Sequence, residues 1–168
     1  MNRRDLLKTI PALAAASQLP AQSSTNKARL RPGLVAYSYR GQLEAKKLSY
    51  EDLIRMTADF GLEGLDTTVY WFPEPPSNPY LAGLRRTAHK NGVQLYSIAV
   101  RVRLCQPTPE LQAAEVAKAK LWVDVAEKLG AGHIRVFGGT VPKGVDEPQA
   151  IAWAVETMKR ACEYSGSK

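Results

Sequence analysis

Apolar and polar positions along the chain follow two periods, and glycine marks three of the places where one gives way to the other. Helix-like spacing ends at Phe60-Gly61, and a short apolar run, Gly64-Leu65-Asp66-Thr67-Thr68-Val69-Tyr70, begins. The same step recurs at Asn91-Gly92 before residues 93–100, and at Leu129-Gly130 before residues 133–137. A glycine just past a helix can take the left-handed cap conformation, which lets the chain reverse into a strand within a few residues. Strands that alternate with helices in this way are built most simply as parallel strand–helix units.

The remaining pattern fills in the units. A first strand is expected over residues 34–39, β-branched and aromatic after Pro32-Gly33. The first helix opens at Ser49, with Asp52 at capping-box spacing, and Leu53, Met56 and Phe60 fall on one helical face. Asn78-Pro79 opens the second, with Leu81, Leu84 and Ala88 as its buried stripe. Thr108-Pro109 starts a longer third, with Trp122, Val125 and Leu129 on one face. Glu147-Pro148 starts a fourth, where Ile151, Val155, Met158 and Cys162 recur at helical spacing until Gly166. The fold class is therefore α/β, built of parallel (β/α) units.

Strand-to-helix joints (residues 40–48, 71–77, 101–107 and 138–146) are longer and chemically richer than the glycine-centred helix-to-strand joints. In parallel α/β folds, ligands sit beyond the carboxyl ends of the strands, so any site is expected on the face these longer loops line. A doubly wound sheet would often carry a glycine-rich phosphate turn after its first strand. Here that strand runs into Tyr39-Arg40-Gly41-Gln42-Leu43, with no such motif. Gly138-Gly139-Thr140 is a weak phosphate-cradle signal that a simple turn explains better. A (β/α)₈ barrel typically needs about 250 residues. The four units of this 168-residue chain are about four of its eight, an incomplete TIM barrel.

Residues 1–21 are a different object. Arg3, Arg4 and Lys8 precede an apolar run from Ile10 to Ala16 and then Gln18-Leu19-Pro20-Ala21. A charged start, a short apolar segment and small residues make an export signal, and Arg3-Arg4 gives it twin-arginine character. The expected organisation is a signal peptide at 1–21, a polar linker at 22–31 and a partial barrel domain at 32–168. The mature protein is expected in the bacterial periplasm, with no membrane attachment after cleavage. The leader carries a net +2 of the chain's +7, and the remaining basic residues are scattered without aromatic interleaving. That distribution argues for a solvated surface and against nucleic-acid binding. Two cysteines, Cys105 and Cys162, are too few and too far apart for a disulfide framework.

With those elements in place, the chain resembles the sugar phosphate isomerase/epimerase family, the xylose isomerase-like TIM barrels, and in particular its exported members. The resemblance rests on the leader, on Val35-Ala36-Tyr37-Ser38-Tyr39, and on residues 61–66 running to Tyr70-Trp71-Phe72-Pro73. Residues 129–139 complete it. What it implies is a sugar isomerase or epimerase that moves a proton or hydride with the help of a divalent metal of manganese or magnesium type. It also implies metal ligands (two glutamates, an aspartate and a histidine) on strands five to eight, which these four units do not reach. The chain is then expected to be the amino-terminal half of such an enzyme. A non-catalytic carbohydrate-binding or interaction module and a truncated product are the competing readings.

Several residues are candidates for a carbohydrate pocket, each with a structural alternative. Tyr37 and Tyr39, on one face of the first strand, form either an aromatic wall or barrel packing. Tyr70 and Trp71 stand at the mouth of the second strand under the same alternatives. Asp66, a carboxylate in an apolar strand, either faces the pocket or makes a structural hydrogen bond. Arg101 and Arg103 either bind a substrate phosphate or carboxylate or form an exposed basic loop. Phe137 ends the fourth strand among the pocket candidates. His89 and His133 read as surface or structural residues. Four parallel strands cannot close a barrel, so open edges are expected to favour self-association.

Overall fold

The computed structural model describes residues 30–168. The expected signal peptide, with Arg3 and Arg4, and most of the linker lie outside those residues. Four strands, β1 (Gly33–Val35), β2 (Gly64–Thr68), β3 (Gln94–Arg103) and β4 (His133–Phe137), form one parallel sheet in the order β1-β2-β3-β4. Between and after them come α1 (Arg40–Glu44), α2 (Tyr50–Asp59), α3 (Asn78–Lys90), α4 (Pro109–Leu129) and α5 (Glu147–Ser165). This is the expected alternation of parallel strands and helices.

Local chemistry explains where the elements begin and end. Ser49 caps α2 through a complete capping box, its Oγ accepting from the Asp52 N–H while the Asp52 carboxylate accepts from the Ser49 N–H. Ser77 and Thr108 cap α3 and α4 by the side-chain half of that arrangement alone, accepting from the Tyr80 and Leu111 N–H, and each is followed within two positions by proline in the first turn. Asn78, expected as a cap, is instead the first helical residue. At the other end of α4, Gly130 turns at φ 77°, and its N–H and that of Ala131 bond back into the last helical turn. That left-handed geometry, shared by Gly61 and Gly92, is what a residue with a Cβ resists.

The two faces of the sheet differ in chemistry. Leu65, Ile98, Val100 and Val102 are fully buried on the face that the helices cover, joined there by Leu53, Ile54, Leu81 and Leu84 from α2 and α3. Strand register puts Val35, Asp66 and Ser97 side by side on the other face, followed by Ala99 opposite Arg135 and Arg103 opposite Phe137. Val35 and Phe137 are exposed there.

Three expectations need correction. The first strand stops at Val35, and Ala36–Tyr39 form a 3₁₀ turn. Tyr37 and Tyr39 therefore share no strand face. β1 is an edge strand with one neighbour, and the chain beyond it closes backbone hydrogen bonds locally, as the Arg40 N–H does onto the Tyr37 carbonyl. Conversely, β3 runs on to Arg103, so Arg101 and Arg103 are strand residues and not loop residues. Finally, Phe60 is 58 % exposed because it is the C-cap of α2, beyond the last residue that keeps helical phase.

The apolar stripe read in α5 exists, but it is uncovered. Ile151, Val155, Met158 and Cys162 are all exposed. The buried residues of this helix are instead Ala150 and Thr157, with Ala154 and Ala161 packed against the core. Among the described residues, no helix is long and apolar enough to cross a membrane.

Candidate functional site

A cleft of about 780 Å³ opens at the carboxyl ends of the strands. The 3₁₀ turns that follow β1 and β2 carry Tyr37, Tyr70 and Trp71 into it; the end of β3 supplies Arg101 and Arg103, and β4 supplies Phe137. Arg40 and Glu44 of α1 and the Gly138–Gly139–Thr140 turn complete its lining.

Tyr37, Tyr70 and Trp71 form a triangle, with ring centroids 6.2 Å apart for the tyrosine pair, 6.1 Å for Tyr37–Trp71 and 5.8 Å for Tyr70–Trp71. Edge-on and tilted geometries of this kind suit aromatic quadrupoles and hold the rings in place. The Arg101 guanidinium lies over Tyr70, its Cζ 4.4 Å from the ring centroid, and Arg40 lies 5.4 Å from that of Tyr37. Burial pushes the Tyr70 phenol above its ordinary pKa, opposed by the cationic Arg135 and Arg101 nearby. Its hydroxyl is buried, with no hydrogen-bond partner among the described residues.

Asp66 sits one step deeper on the same face of the sheet and does not line the cleft. It is 7 % exposed, accepts a hydrogen bond from Ser97 Oγ at 2.5 Å, and has Arg135 Nη2 3.7 Å from its other oxygen. A carboxylate so placed is compensated where it stands and ties β2 to β3 and β4. Tyr39 is half-buried against the core, outside the cleft. Of the sequence candidates, then, six converge (Tyr37, Tyr70, Trp71, Arg101, Arg103 and Phe137), while Asp66 and Tyr39 do not.

Sequence reasoning passed over Arg40, Ser97, Arg135 and Glu115. The strand alternation could have found Ser97 and Arg135, since each lies on the same face as Asp66. Glu115 reaches back from α4 to accept the Arg103 N–H at 2.9 Å and pairs with Lys118, which fixes the end of β3. No short-range signal marks that contact.

No three His, Cys, Asp or Glu side chains converge as a metal site among the described residues. The carboxylates nearest the cleft are Glu44 on its rim and Asp66, already engaged by Ser97 and Arg135. The residues present do not fit a divalent cation of the kind the resemblance implies. His133 stands at the amino end of β4, where its Nδ1 meets the Tyr96 carbonyl, and His89 is on the exposed side of α3.

The chain superposes on several solved barrels. A D-psicose 3-epimerase from Clostridium cellulolyticum H10, crystallised with D-tagatose, matches with a TM-score of 0.68 at 20% identity, over 82% of this chain and 49% of that one. A probable 3-DHS dehydratase from Bacillus anthracis gives 0.63 at 16% identity, over 82% and 49%. A sugar phosphate isomerase/epimerase from Parabacteroides distasonis gives 0.62 at 18%, over 86% and 50%. The chain thus spans about half the length of these structures, and at such identities the likeness is one of fold. No curated protein sequence matches it significantly. The family model described as xylose isomerase-like TIM barrel matches residues 54–168, and the chain belongs to that family.

Proposed function

We propose that the chain acts on a small carbohydrate at the carboxyl-end cleft, in an exported isomerase or epimerase that moves a proton or hydride between adjacent sugar carbons. The cleft carries the reading: four aromatic rings and three guanidinium groups gathered at the carboxyl ends of the strands. Aromatic faces suit the C–H faces of a sugar, and guanidinium edges suit its hydroxyls. A psicose 3-epimerase among the solved likenesses supports the reaction class.

In such chemistry a divalent metal, when bound, polarises the sugar carbonyl and hydroxyl. The described residues make no metal set, so they are assigned binding and orientation: Tyr37 and Trp71 as platforms, and Tyr70 as the ring on which Arg101 rests. The same observation favours a second reading, a carbohydrate-binding module without catalysis.

One experiment separates the two. The full chain is titrated with fructose and tagatose by calorimetry, and the same mixtures in heavy water are followed by proton NMR for exchange beside the carbonyl. Binding that weakens about tenfold or more in Tyr37→Ala with Trp71→Ala supports the cleft. Binding with exchange supports the enzyme, and binding without exchange supports the module. No binding rejects both.

Export belongs to the same proposal. With Arg3 and Arg4 both replaced by lysine, the precursor should stay in the cytoplasm; an unchanged periplasmic yield would leave only a general secretory signal. Self-association through the free edges of β1 and β4 is likewise proposed, because unpaired strand edges template pairing.

A further inference from the structure

Two of the cleft's aromatic rings stand on a support with little stability of its own. Tyr70 and Trp71 belong to the 3₁₀ turn Val69–Trp71 that follows β2. The turn closes on itself through the Phe72 N–H, which donates to the Val69 carbonyl at 3.1 Å. So short a 3₁₀ segment has poor hydrogen-bond geometry and keeps its shape through outside contacts. Those contacts come from the side of the sheet that the helices cover, away from the cleft.

Tyr50, the first residue of α2, is buried there. Its hydroxyl donates to the carbonyl of Thr68, the residue before the turn. The Trp71 N–H, at the end of the turn, faces the same oxygen. One phenol thus spans both ends of the turn. Burial pushes that phenol well above its ordinary pKa, so it keeps its proton and remains a donor through the neutral range. The residue after the turn is gripped as well. Phe72 packs edge-on against Tyr50, with ring centroids 4.6 Å apart, and against Tyr80 of α3 at 5.2 Å. The Ser49 capping box fixes where α2 begins, and so where Tyr50 stands. None of Tyr50, Phe72 and Tyr80 lines the cleft.

We propose that Tyr50 is a positioning residue of the cleft: from behind the sheet, its hydroxyl sets the path of residues 69–71 and so the planes of Tyr70 and Trp71 against Tyr37. The rings are then already oriented when a ligand arrives, and binding is spared the entropy of ordering them. Tyr50 touches no ligand itself and acts through Tyr70 and Trp71. The ligand in this inference rests on the carbohydrate reading of the cleft. The orientation of Trp71 does not, and is measured without one.

The test follows Trp71 by near-ultraviolet circular dichroism, its contribution taken as the difference between each full chain and the same chain carrying Trp71→Phe. Tyr50→Phe keeps the ring against Phe72 and removes only the hydroxyl. In it the Trp71 contribution should fall by about half or more, with the far-ultraviolet spectrum unchanged. Thr57→Val removes another buried hydroxyl of α2, bonded to the Leu53 carbonyl about two turns along from Tyr50, and should leave the Trp71 signal as it is. Phe72→Leu loosens the far end of the clamp with the hydroxyl in place, and should lower the signal by a smaller amount. An unchanged signal in Tyr50→Phe or in Phe72→Leu overturns the proposal. An equal loss in Thr57→Val assigns the effect to general loosening and also overturns it. With fructose as the probe, Tyr50→Phe should weaken calorimetric binding about fivefold or more, and should add nothing further in a Trp71→Ala background. An affinity that Tyr50→Phe leaves unchanged, or lowers equally with and without Trp71, overturns the positioning role. If no chain binds fructose, the carbohydrate reading falls, and the Trp71 signal still decides whether Tyr50 sets the turn.

Discussion

Helices α3 and α5 carry apolar stripes of similar legibility, yet one is buried and the other is not. In α3, Leu81 and Leu84 are 1 % exposed, closed in by β3, α2 and α4. In α5, Ile151, Val155 and Met158 are 54 %, 46 % and 38 % exposed, and only the small-residue side (Ala150, Ala154, Thr157 and Ala161) meets the core. A second groove, about 440 Å³ and mostly apolar, runs between α4, β4 and α5, with Met158 and Cys162 on its wall. A helical period thus encodes the need for cover, and only the neighbouring elements decide whether it is met.

The largest expected effect breaks the comparison if it fails. Leu84→Ala should destabilise the fold by about 2–5 kcal/mol, and Val155→Ala by about 0.5 kcal/mol or less, both read from urea unfolding at low protein concentration. Comparable losses at the two sites would mean that the α5 stripe is covered in solution. Next in size, Asp66→Ala should cost about 1–3 kcal/mol, because it strands the Ser97 hydroxyl and the facing Arg135 on the open side of the sheet. A neutral result would show that water serves that side as well as the carboxylate does.

A smaller effect concerns the covered side. Ser49→Ala removes the cap of α2 and should cost about 1 kcal/mol near neutral pH. The Asp52 carboxyl is held below its ordinary 3.8, first by the Ser49 hydroxyl and then by the Ser49 N–H. A group depressed in the folded state stabilises above its unfolded pKa and loses that contribution as pH falls through the folded value. The gap between wild type and Ser49→Ala should therefore narrow below about pH 4, as thermal melts across pH 2–7 would reveal. A gap that stays constant would assign the loss to the hydroxyl alone. Smallest of all, ultraviolet titration should find one phenol fewer among those ionising late in Tyr70→Phe, since burial raises that group.

The frame of the fold was legible because it rests on local chemistry: three glycine caps, two of the three Ser/Thr N-caps (Ser49 and Thr108) and two alternating periods. Strand ends were less so. Residues 34–39 have the composition of a strand, but pairing on one side only lets the chain leave the sheet after Val35. Arg101 and Arg103 read as loop because charge seldom continues an apolar strand, and the Glu115 carboxylate that holds Arg103 in place comes from twelve residues away. Six of the eight cleft candidates meet because each lies at or just beyond the carboxyl end of a strand, a position the topology dictates. Asp66 is drawn to Ser97 and Arg135 instead, partners set by register across three strands.

Sequential strand order has a kinetic consequence. Gly33 pairs with Gly64, Gly64 with Gln94 and Ser97 with His133, so each pairing closes a loop of roughly thirty residues. Loops of equal length carry nearly equal closure entropy, and chain connectivity then gives no pairing a head start. Burial breaks the tie: β2 is buried along its whole length, and β3 contributes Ile98, Ala99, Val100 and Val102 at full burial. The β2–β3 pair is thus the expected nucleus, with β1 and β4 added outward on either side. Amide hydrogens should exchange slowest at its centre and progressively faster toward both edges. Slowest exchange at β1 or β4 would instead mean that an edge is where this sheet begins.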